Sequence, residues 1–475
     1  MKLLITFLLL ITACAVQAQQ PDRQQLIRVE APLIALTHVR VIDGTGTAAL
    51  DDQTILITDG KLQWVGAAAN ANIPANAQTI DLKGYTVLPG LVGMHDHMFF
   101  PMGGSPPMYS NMGFSFPRLY LALGVTTIRT TGSVAPYSDL EIKKLIDSGR
   151  MIGPKMHITA PYLEGAGAFT PVMHTLTGAD DARKQVNFWA DQGATSFKAY
   201  MNITREQLRA AVEEAHKRGL KVTGHLCSIG YREAAEIGID NLEHGLLPNS
   251  EFVANKQPDK CPAAVSQSLR NLDINSEPVK ETIRALVTKN VAITSTLPVF
   301  EAGAPLTQTG IGAASALMNQ RMLNVMNTDA RVRYLTARSR VSADSPAALL
   351  VRKSMDFERA FVAAGGLLIA GLDPTGNGGI VAGFGDLREV ELLVEAGFTP
   401  VEAIRIASFN GAKFLGEDAR IGSIAVGKQA DLMIVKGNPA TRIGDIENVE
   451  IVFKDGVGYD SEKLIQSVQG LVGIR

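Results

Sequence analysis

The chain lacks several features that would assign it to a simple class of protein. It has only 3 cysteines in 475 residues, too few for a disulfide-stapled scaffold. It has no charge excess, because 45 Lys and Arg oppose 47 Asp and Glu, so composition does not point to nucleic acid or to an anionic membrane as a partner. Beyond the N-terminus, apolar stretches such as 360–372 are too short to cross about 30 Å of hydrocarbon, so we expect no transmembrane helix.

What the sequence does contain is typical of a large globular protein. Hydrophobic residues make up 46% of the chain and charged residues 19%, with 45 Gly and 22 Pro to form tight turns. The length is sufficient for one large domain with a smaller one beside it.

The first residues, MKLLITFLLLITACAVQAQQ, predict export. A lysine precedes about a dozen apolar residues and a small-residue pattern that ends at Ala18, which indicates a signal peptide over 1–18 and a periplasmic or secreted protein. An alternative is that the stretch ending at Cys14 is a lipoprotein box, in which case Cys14 would carry a lipid anchor.

If Cys14 leaves with the signal, Cys227 and Cys261 remain. An oxidising compartment would allow them to form a disulfide, but the sequence does not show that their Cβ atoms approach within about 4.5 Å. We therefore favour two buried thiols and keep the disulfide as the alternative.

The pattern of apolar segments predicts two kinds of structure. Short β-rich runs separated by Gly-containing turns occupy 28–86 and 413–475, and we expect these two segments to form one small β-sandwich. The predicted strands of the second segment are 421–425, 431–435 and 450–454. Between them, over 87–412, strands alternate with helices, which predicts an α/β fold, a (β/α)₈ TIM barrel. The predicted barrel strands are Thr86–Met94, Thr126–Arg129, Lys155–Thr159, Ser196–Tyr200, Lys221–His225, Asn241–His244, Val291–Ser295 and Leu367–Leu372. Residues 296–366 exceed an ordinary connection, and we expect a helical insertion there.

Ionisable side chains occur where several of these strands end, which is the face on which barrel active sites form. Alternation along a strand places His95 and His97 on the same face, so the two side chains can bind one ion. A lone His-x-His is a weak signal of a metal site, but the ionisable residues at the ends of further strands strengthen it. The full set is His95, His97, Lys198, His225, His244 and Asp373.

This series, on successive strands, resembles the amidohydrolase superfamily. The segments "TVLPGLVGMHDH", "TPVEAIRIASFNGAKFLG" and "RIGSIAVGKQADLMIV" are typical of that superfamily, and "NLEHG" resembles its imidazolonepropionase-like and prolidase-like branch.

The resemblance implies two divalent metal ions, with Zn²⁺ the first choice. His95, His97 and Asp373 would bind one ion, His225 and His244 would bind the other, and a carboxylated Lys198 would bridge them. Neutral imidazoles and oxygen anions suit Zn²⁺ and other first-row dications. A desolvated lysine favours the neutral amine, which can add CO₂ to become an oxygen anion.

The implied activity is hydrolysis of an amide-type C–N bond by a metal-bound hydroxide, with Asp373 as the catalytic group that accepts and returns a proton. The implied substrate is a small molecule: a dipeptide, an N-acyl amino acid or a cyclic amide. The alternatives are a lactonase or esterase that uses the same site, a single-metal enzyme in which Lys198 stays an ordinary lysine, and an inactive binding protein with the same fold. Barrels of this family often pair, so a homo-oligomer is a further expectation.

Three more residues are candidates for substrate binding. Arg129 and Tyr200 lie close to predicted strand ends and either bind a substrate carboxylate or oxyanion or line the barrel rim. His174, in the Gly-rich loop after the third strand, is either a substrate contact or an exposed loop residue. The chain departs from related enzymes at Leu226-Cys227-Ser228, after the fifth strand, so no relative's specificity is carried over.

Overall fold

The computed structural model describes residues 23–104, 107–168, 170, 172–305 and 315–473. The predicted signal peptide, 1–18, and Cys14 lie outside these ranges. None of the helices within them combines the length and hydrophobicity that a membrane span requires.

The described ranges contain nineteen strands and sixteen α-helices. In chain order the strands are β1 Ile27–Val29, β2 Leu33–Val41, β3 Leu50–Thr58, β4 Lys61–Ala67, β5 Gln78–Asp81, β6 Tyr85–Pro89, β7 Leu91–Asp96, β8 Phe99–Gly103, β9 Met108–Asn111, β10 Val125–Thr130, β11 Lys155–Ile158, β12 Ser196–Ala199, β13 Lys221–Gly224, β14 Asn241–Glu243, β15 Ala292–Ser295, β16 Leu368–Ala370, β17 Leu432–Lys436, β18 Val449–Lys454 and β19 Val457–Asp460. The α-helices are α1 Arg23–Leu26, α2 Ser115–Ala122, α3 Pro136–Asp147, α4 Ala179–Gln192, α5 Arg205–Lys217, α6 Tyr231–Ile237, α7 Val265–Asn271, α8 Glu277–Thr288, α9 Leu297–Glu301, α10 Ala316–Val325, α11 Thr328–Ser339, α12 Ala347–Ala363, α13 Phe384–Glu395, α14 Pro400–Arg405, α15 Gly411–Leu415 and α16 Ser461–Gln466.

Strands from both ends of the chain form one mixed sheet. Its order is β1-β19-β18-β17-β6-β2-β3-β4, with β5 paired to β2. The N-terminal and C-terminal strands meet where β17 pairs antiparallel with β6. Apolar side chains of both segments, among them Ile34, Ile55, Ile434 and Phe453, pack into one hydrophobic core. The two terminal segments therefore share one sheet and one hydrophobic core.

The middle of the chain supplies eight parallel strands arranged in chain order. One sheet has the order β11-β10-β7 and the other β12-β13-β14-β15-β16. A parallel bridge between Thr159 and Ser196 joins the two sheets at one junction. At the other, the Asp373 backbone N–H donates to the His95 carbonyl over 2.9 Å. All six residues of β7 are buried, as expected for a parallel strand covered on both faces. This is a TIM-barrel-like α/β arrangement.

Two predicted strands differ from the observed ones. The segment predicted as one strand, Thr86–Met94, is two strands in two different sheets, because the chain changes partners at Gly90. The Gly90 N–H donates to Asp431 in the mixed sheet, and the next N–H, of Leu91, donates to Gly124 in the barrel-like part. The segment 421–425, predicted as a strand, forms none.

The helical insertion is present as α9 to α12 within the described part of 296–366. A capping box begins α5, since the Thr204 side chain accepts from the Gln207 N–H and the Gln207 side chain accepts from the Thr204 N–H.

The preference for two free thiols was wrong. The structure joins Cys227 and Cys261 in a disulfide, with their Cα atoms 4.8 Å apart. The bond links the loop after β13 to the long connection between β14 and α7, and the sequence alone does not reveal that these loops meet.

Candidate active site

The six predicted ligand residues stand at the carboxyl ends of five parallel strands. His95 and His97 lie at the end of β7, and Lys198 lies on β12. His225 follows β13, His244 follows β14, and Asp373 comes shortly after β16. Five of the six side chains are buried: His95, His97, Lys198, His244 and Asp373. Parallel strands bring residues far apart in sequence to one end of the barrel.

These side chains contact one another across the barrel axis. His95 Nε2 lies 3.1 Å from Lys198 Nζ and 3.7 Å from Asp373 Oδ2. The Asp373 carboxylate also reaches His97 Nε2 at 3.5 Å and His244 Nε2 at 3.9 Å. The rings of His225 and His244 have centroids 4.5 Å apart. The structure thus brings all six residues into one cluster.

Three of the four histidines are oriented by a partner at Nδ1. His95 Nδ1 lies 2.7 Å from Glu243 Oε2, His97 Nδ1 lies 3.0 Å from the Gly132 carbonyl, and His244 Nδ1 lies 2.7 Å from Thr296 Oγ1. Outer partners of this kind fix the tautomer and the direction of a metal-binding imidazole. In each ring Nε2 is the nitrogen that faces the cluster.

Unsatisfied polar atoms in the cluster fit a metal ion. His244 Nε2 and Asp373 Oδ1 are buried and make no hydrogen bond within the described structure. Ligand atoms of His95, His244 and Asp373 all lie within 4.8 Å of one another. Buried polar atoms normally have partners, so these atoms point to a cation, and imidazole with carboxylate is a donor set that Zn²⁺ accepts.

The electrostatics of the site favour neutral ligands. Burial lowers the pKa of His97 to about 4, and burial together with Lys198 lowers that of His225 to about 3. Burial lowers the pKa of Lys198 to about 8, although Glu243 and Asp373 act in the opposite direction. Neutral imidazole is the form that binds metal. A lysine whose pKa is about 8 is partly the neutral amine at physiological pH.

Two of the ligand residues are among the nine non-glycine residues of the described chain whose φ is positive. His244 has φ 72° and Asp373 has φ 51°, a region that costs a non-glycine residue on the order of 1–3 kcal/mol. The backbone is also closely packed beside these residues, since a Cβ on Gly371 would lie 2.3 Å from the His95 backbone nitrogen. Strain that is retained by tight packing is typical of functional sites.

Sequence reasoning missed Glu243, which lies beneath the cluster with none of its side chain exposed. Besides binding His95, its carboxylate accepts from Arg129 Nη2 over 2.8 Å. Burial acts to raise the pKa of Glu243, but Arg129 and His95 outweigh it and hold the pKa well below its usual range. The signal that marks Glu243 is its place at the end of an apolar strand, directly before a ligand histidine.

Arg129 does not lie where a substrate contact would. Its guanidinium is 1% exposed and donates to the Met94 carbonyl, to Asn241 Oδ1 and to Glu243. The expected substrate role therefore does not match the structure. Arg129 instead fixes the carboxylate that orients His95.

The other two substrate candidates differ in position. The Tyr200 ring lies 4.9 Å from the His225 ring, beside the ligand cluster, and it also packs against Tyr162. His174 is half exposed, and its Nε2 lies 3.0 Å from Asp181 at the surface. Tyr200 is thus placed to meet a substrate, whereas the structure does not bring His174 into contact with the ligand residues.

Comparison with known proteins decides the family. The model of the amidohydrolase family matches residues 86–458, which include every predicted ligand. The chain belongs to the amidohydrolase family. Membership confirms the expected resemblance and supports hydrolysis of carbon–nitrogen bonds as the class of reaction.

Individual relatives support the same family. An imidazolonepropionase from Paenarthrobacter aurescens is 32% identical over 97 residues, 20% of this chain. The segments that match imidazolonepropionases span only 14 to 22% of the length of those proteins. A candidate prolidase from Bifidobacterium longum has 25% identity and a TM-score of 0.65 over 92% of this amidohydrolase and 98% of that protein. A Xaa-Pro dipeptidase with bound methionine has 20% identity and a TM-score of 0.66, over 90% of this chain and all of the other, and shows the same fold.

Proposed function

We propose that this amidohydrolase is an exported enzyme with two metal ions that hydrolyses an amide-type C–N bond in a dipeptide, an N-acyl amino acid or a cyclic amide. The observation that carries the proposal is the buried cluster of imidazoles, a lysine and a carboxylate. Nε2 atoms face inward there, and two buried ligand atoms make no hydrogen bond within the described residues. We also propose the complete fold of the family for this chain: a closed (β/α)₈ barrel over 87–412 and a β-sandwich from 28–86 and 413–475.

The residues fit two ions. His95, His97 and Asp373 would hold one, and His225 and His244 would hold the other. Bound divalent ions would supply positive charge that polarises the substrate carbonyl and activates water. Zn²⁺ is our first choice, because neutral imidazoles and oxygen anions are ligands that it prefers.

Lys198 would bridge the two ions after reaction with CO₂. Its Nζ, with a pKa lowered to about 8 by burial, is partly a free amine at neutral pH. The amine nitrogen would add to the carbon of CO₂ and release one proton to solvent, which leaves a carbamate whose single negative charge is shared by two oxygens. A side chain that is 2% exposed, on the strand facing His95, is well placed for this role.

Asp373 would move the proton. Burial acts to raise its pKa, but His95, His97 and His244 overcome this and hold the pKa well below its usual range, so the carboxylate is ionised at neutral pH. Its Oδ1 can accept a proton from the attacking water and return it to the leaving nitrogen.

Export is supported by the disulfide. The bond between Cys227 and Cys261 is expected in an oxidising compartment and is rare in the cytosol of most organisms. Together with the N-terminal pattern, it favours a periplasmic or secreted enzyme. Whether the mature chain is free or attached through Cys14 is a separate question that mass spectrometry of the exported protein would answer.

The test is a hydrolysis screen of the purified, metal-loaded protein. Dipeptides, N-acyl amino acids, lactams and lactones should be offered to the parent and to an Asp373→Asn variant. We expect C–N bond cleavage by the parent, reduced by at least about 10²-fold in the variant. Cleavage of lactones alone would favour the lactonase alternative, and a metal-loaded protein inert to the whole panel would favour an inactive binding protein.

A further inference from the structure

Two buried glutamates outside the ligand set lie behind the strand ends that carry His244. Glu358 is on α12 and Glu389 is on α13, and they are 0% and 1% exposed. A carboxyl in the protein interior is costly unless hydrogen bonds compensate it. Their hydrogen bonds show which neighbouring segments these two carboxyl groups hold in place. We refer to Glu358 and Glu389 together as the carboxyl brace.

On one side, the carboxyl brace forms hydrogen bonds with Ser295, the last residue of β15, and with Leu297, which follows shortly after it. The Ser295 hydroxyl donates to Glu358 Oε2 over 2.8 Å, and the Leu297 backbone N–H donates to Glu389 Oε2 over 2.8 Å. Between these two anchored residues is Thr296, whose Oγ1 lies 2.7 Å from His244 Nδ1. The brace therefore fixes the backbone on both sides of the residue that orients the histidine.

On the other side, the brace packs against the residues that follow β14. Glu358 Oε1 is so close to Gly245 that an added Cβ would lie 2.3 Å from it. The Ser354 hydroxyl donates to the same oxygen over 3.3 Å, and Ser354 Oγ accepts from the Leu246 N–H. Both segments around His244, whose backbone has φ 72°, are thus held by one buried network.

We propose that Glu358 and Glu389 are positioning residues that hold His244 in its metal-binding orientation, through Ser295, Thr296 and the backbone of Gly245. This inference rests on the proposed metal site. Outer partners of metal-binding histidines typically contribute 10- to 100-fold in metal affinity. Because His244 belongs to the second ion's ligand pair, the brace should act on that ion and spare the one held by His95 and His97.

The protonation of the brace indicates a suitable control substitution. Burial raises the pKa of Glu358 to about 8, and burial together with Glu358 raises that of Glu389. A neutral carboxyl group has the shape and hydrogen-bonding capacity of an amide. Glutamine should therefore preserve the network, whereas methionine, of similar length, should abolish it.

The experiment is a titration of Zn²⁺ into chelator-treated protein, monitored by calorimetry. The variants are Glu358→Met, Glu389→Met, the two corresponding Gln variants, and Glu391→Met as the matched control. Glu391 is two residues beyond Glu389 on the same helix and is also buried, but it bonds to Arg388 rather than to the strand ends.

We expect both brace Met variants to bind one of two Zn²⁺ ions roughly 10- to 100-fold more weakly, with the other affinity unchanged. The Gln variants and Glu391→Met should bind as the parent does. Co²⁺ substitution adds a second readout, since the visible absorption of the weakened site should change in the Met variants alone.

Unchanged Zn²⁺ affinities in the brace Met variants, with a loss of thermal stability like that of Glu391→Met, would overturn the inference and leave a packing role. If the Met variants do not fold, the same Zn²⁺ titration of the Ser295→Ala and Thr296→Val variants tests the inference instead. Weaker binding of one ion would support the brace, and parental affinity would overturn it. A parent that binds no Zn²⁺ would instead overturn the proposed metal enzyme, and the brace inference with it.

Discussion

Replacement of Arg129 by methionine separates a structural role from a substrate-binding one. The Arg129 side chain and the Glu243 carboxylate that it contacts are both buried, so the substitution would leave the buried Glu243 carboxylate without its arginine partner. Removal of one member of a buried ion pair costs about 3–5 kcal/mol, because an uncompensated charge stays in the interior. We expect the free energy of unfolding to fall by about that amount.

The assay is urea denaturation of metal-free protein, monitored by circular dichroism. Arg218→Met is the control, because the ion pair of Arg218 with Asp191 is exposed and should contribute no more than about 1 kcal/mol. The reasoning would be refuted if Arg129→Met unfolded within about 1 kcal/mol of the parent while KM rose about tenfold at unchanged kcat. That pattern would indicate a lost substrate contact.

Three further predictions follow from the packing, the histidines and the cysteines. Gly371→Ala should cost about 1–3 kcal/mol and reduce bound metal, because its Cβ would collide with the His95 backbone, whereas Gly444→Ala, with open space around it, should do neither in the same denaturation and metal assays. The folded-state pKa values of His97 and His225, about 4 and about 3, lie below the unfolded value of about 6.5, so the unfolded chain takes up more protons. Urea midpoints of metal-free protein should therefore fall as the pH decreases from about 6.5 to about 3, and a flat profile would contradict this. Cys227 and Cys261 should not react with a thiol reagent before reduction, and their double alanine variant should lose about 2–4 kcal/mol; two reactive thiols at these positions in the native protein would refute the pairing.

The barrel strands were predictable because each is a short apolar run that stops at a polar residue. The prediction Ser196–Tyr200 differs from the observed Ser196–Ala199 by one residue, and the third strand is equally close. Strand alternation and the shared carboxyl end of a parallel sheet then suffice to bring His95 and Asp373 together. Those rules depend on local pattern and on topology, both of which the sequence carries.

Other features depend on tertiary contacts that no local pattern records. Arg129 and Tyr200 both occur near strand ends, yet only the packing shows that one points into the interior and the other lies beside His225. The segment 421–425 has the apolar pattern of a strand, but its Ile424 N–H donates to the Asp43 carbonyl in a loop rather than to a ladder. Ile421 and Ile424 are buried, as their apolar side chains suggest, but the backbone of the segment does not pair with a strand.

The most direct test of the account is a count of metal ions per chain in the purified mature protein and in its Lys198→Ala variant, by mass spectrometry. A carbamate-bridged pair predicts about two ions in the parent and a clear loss of metal and activity in the variant, with partial recovery of both when a small carboxylic acid is added. One ion per chain in both proteins would contradict the account, reduce Lys198 to a structural residue and leave a single-metal site with Asp373 as its base.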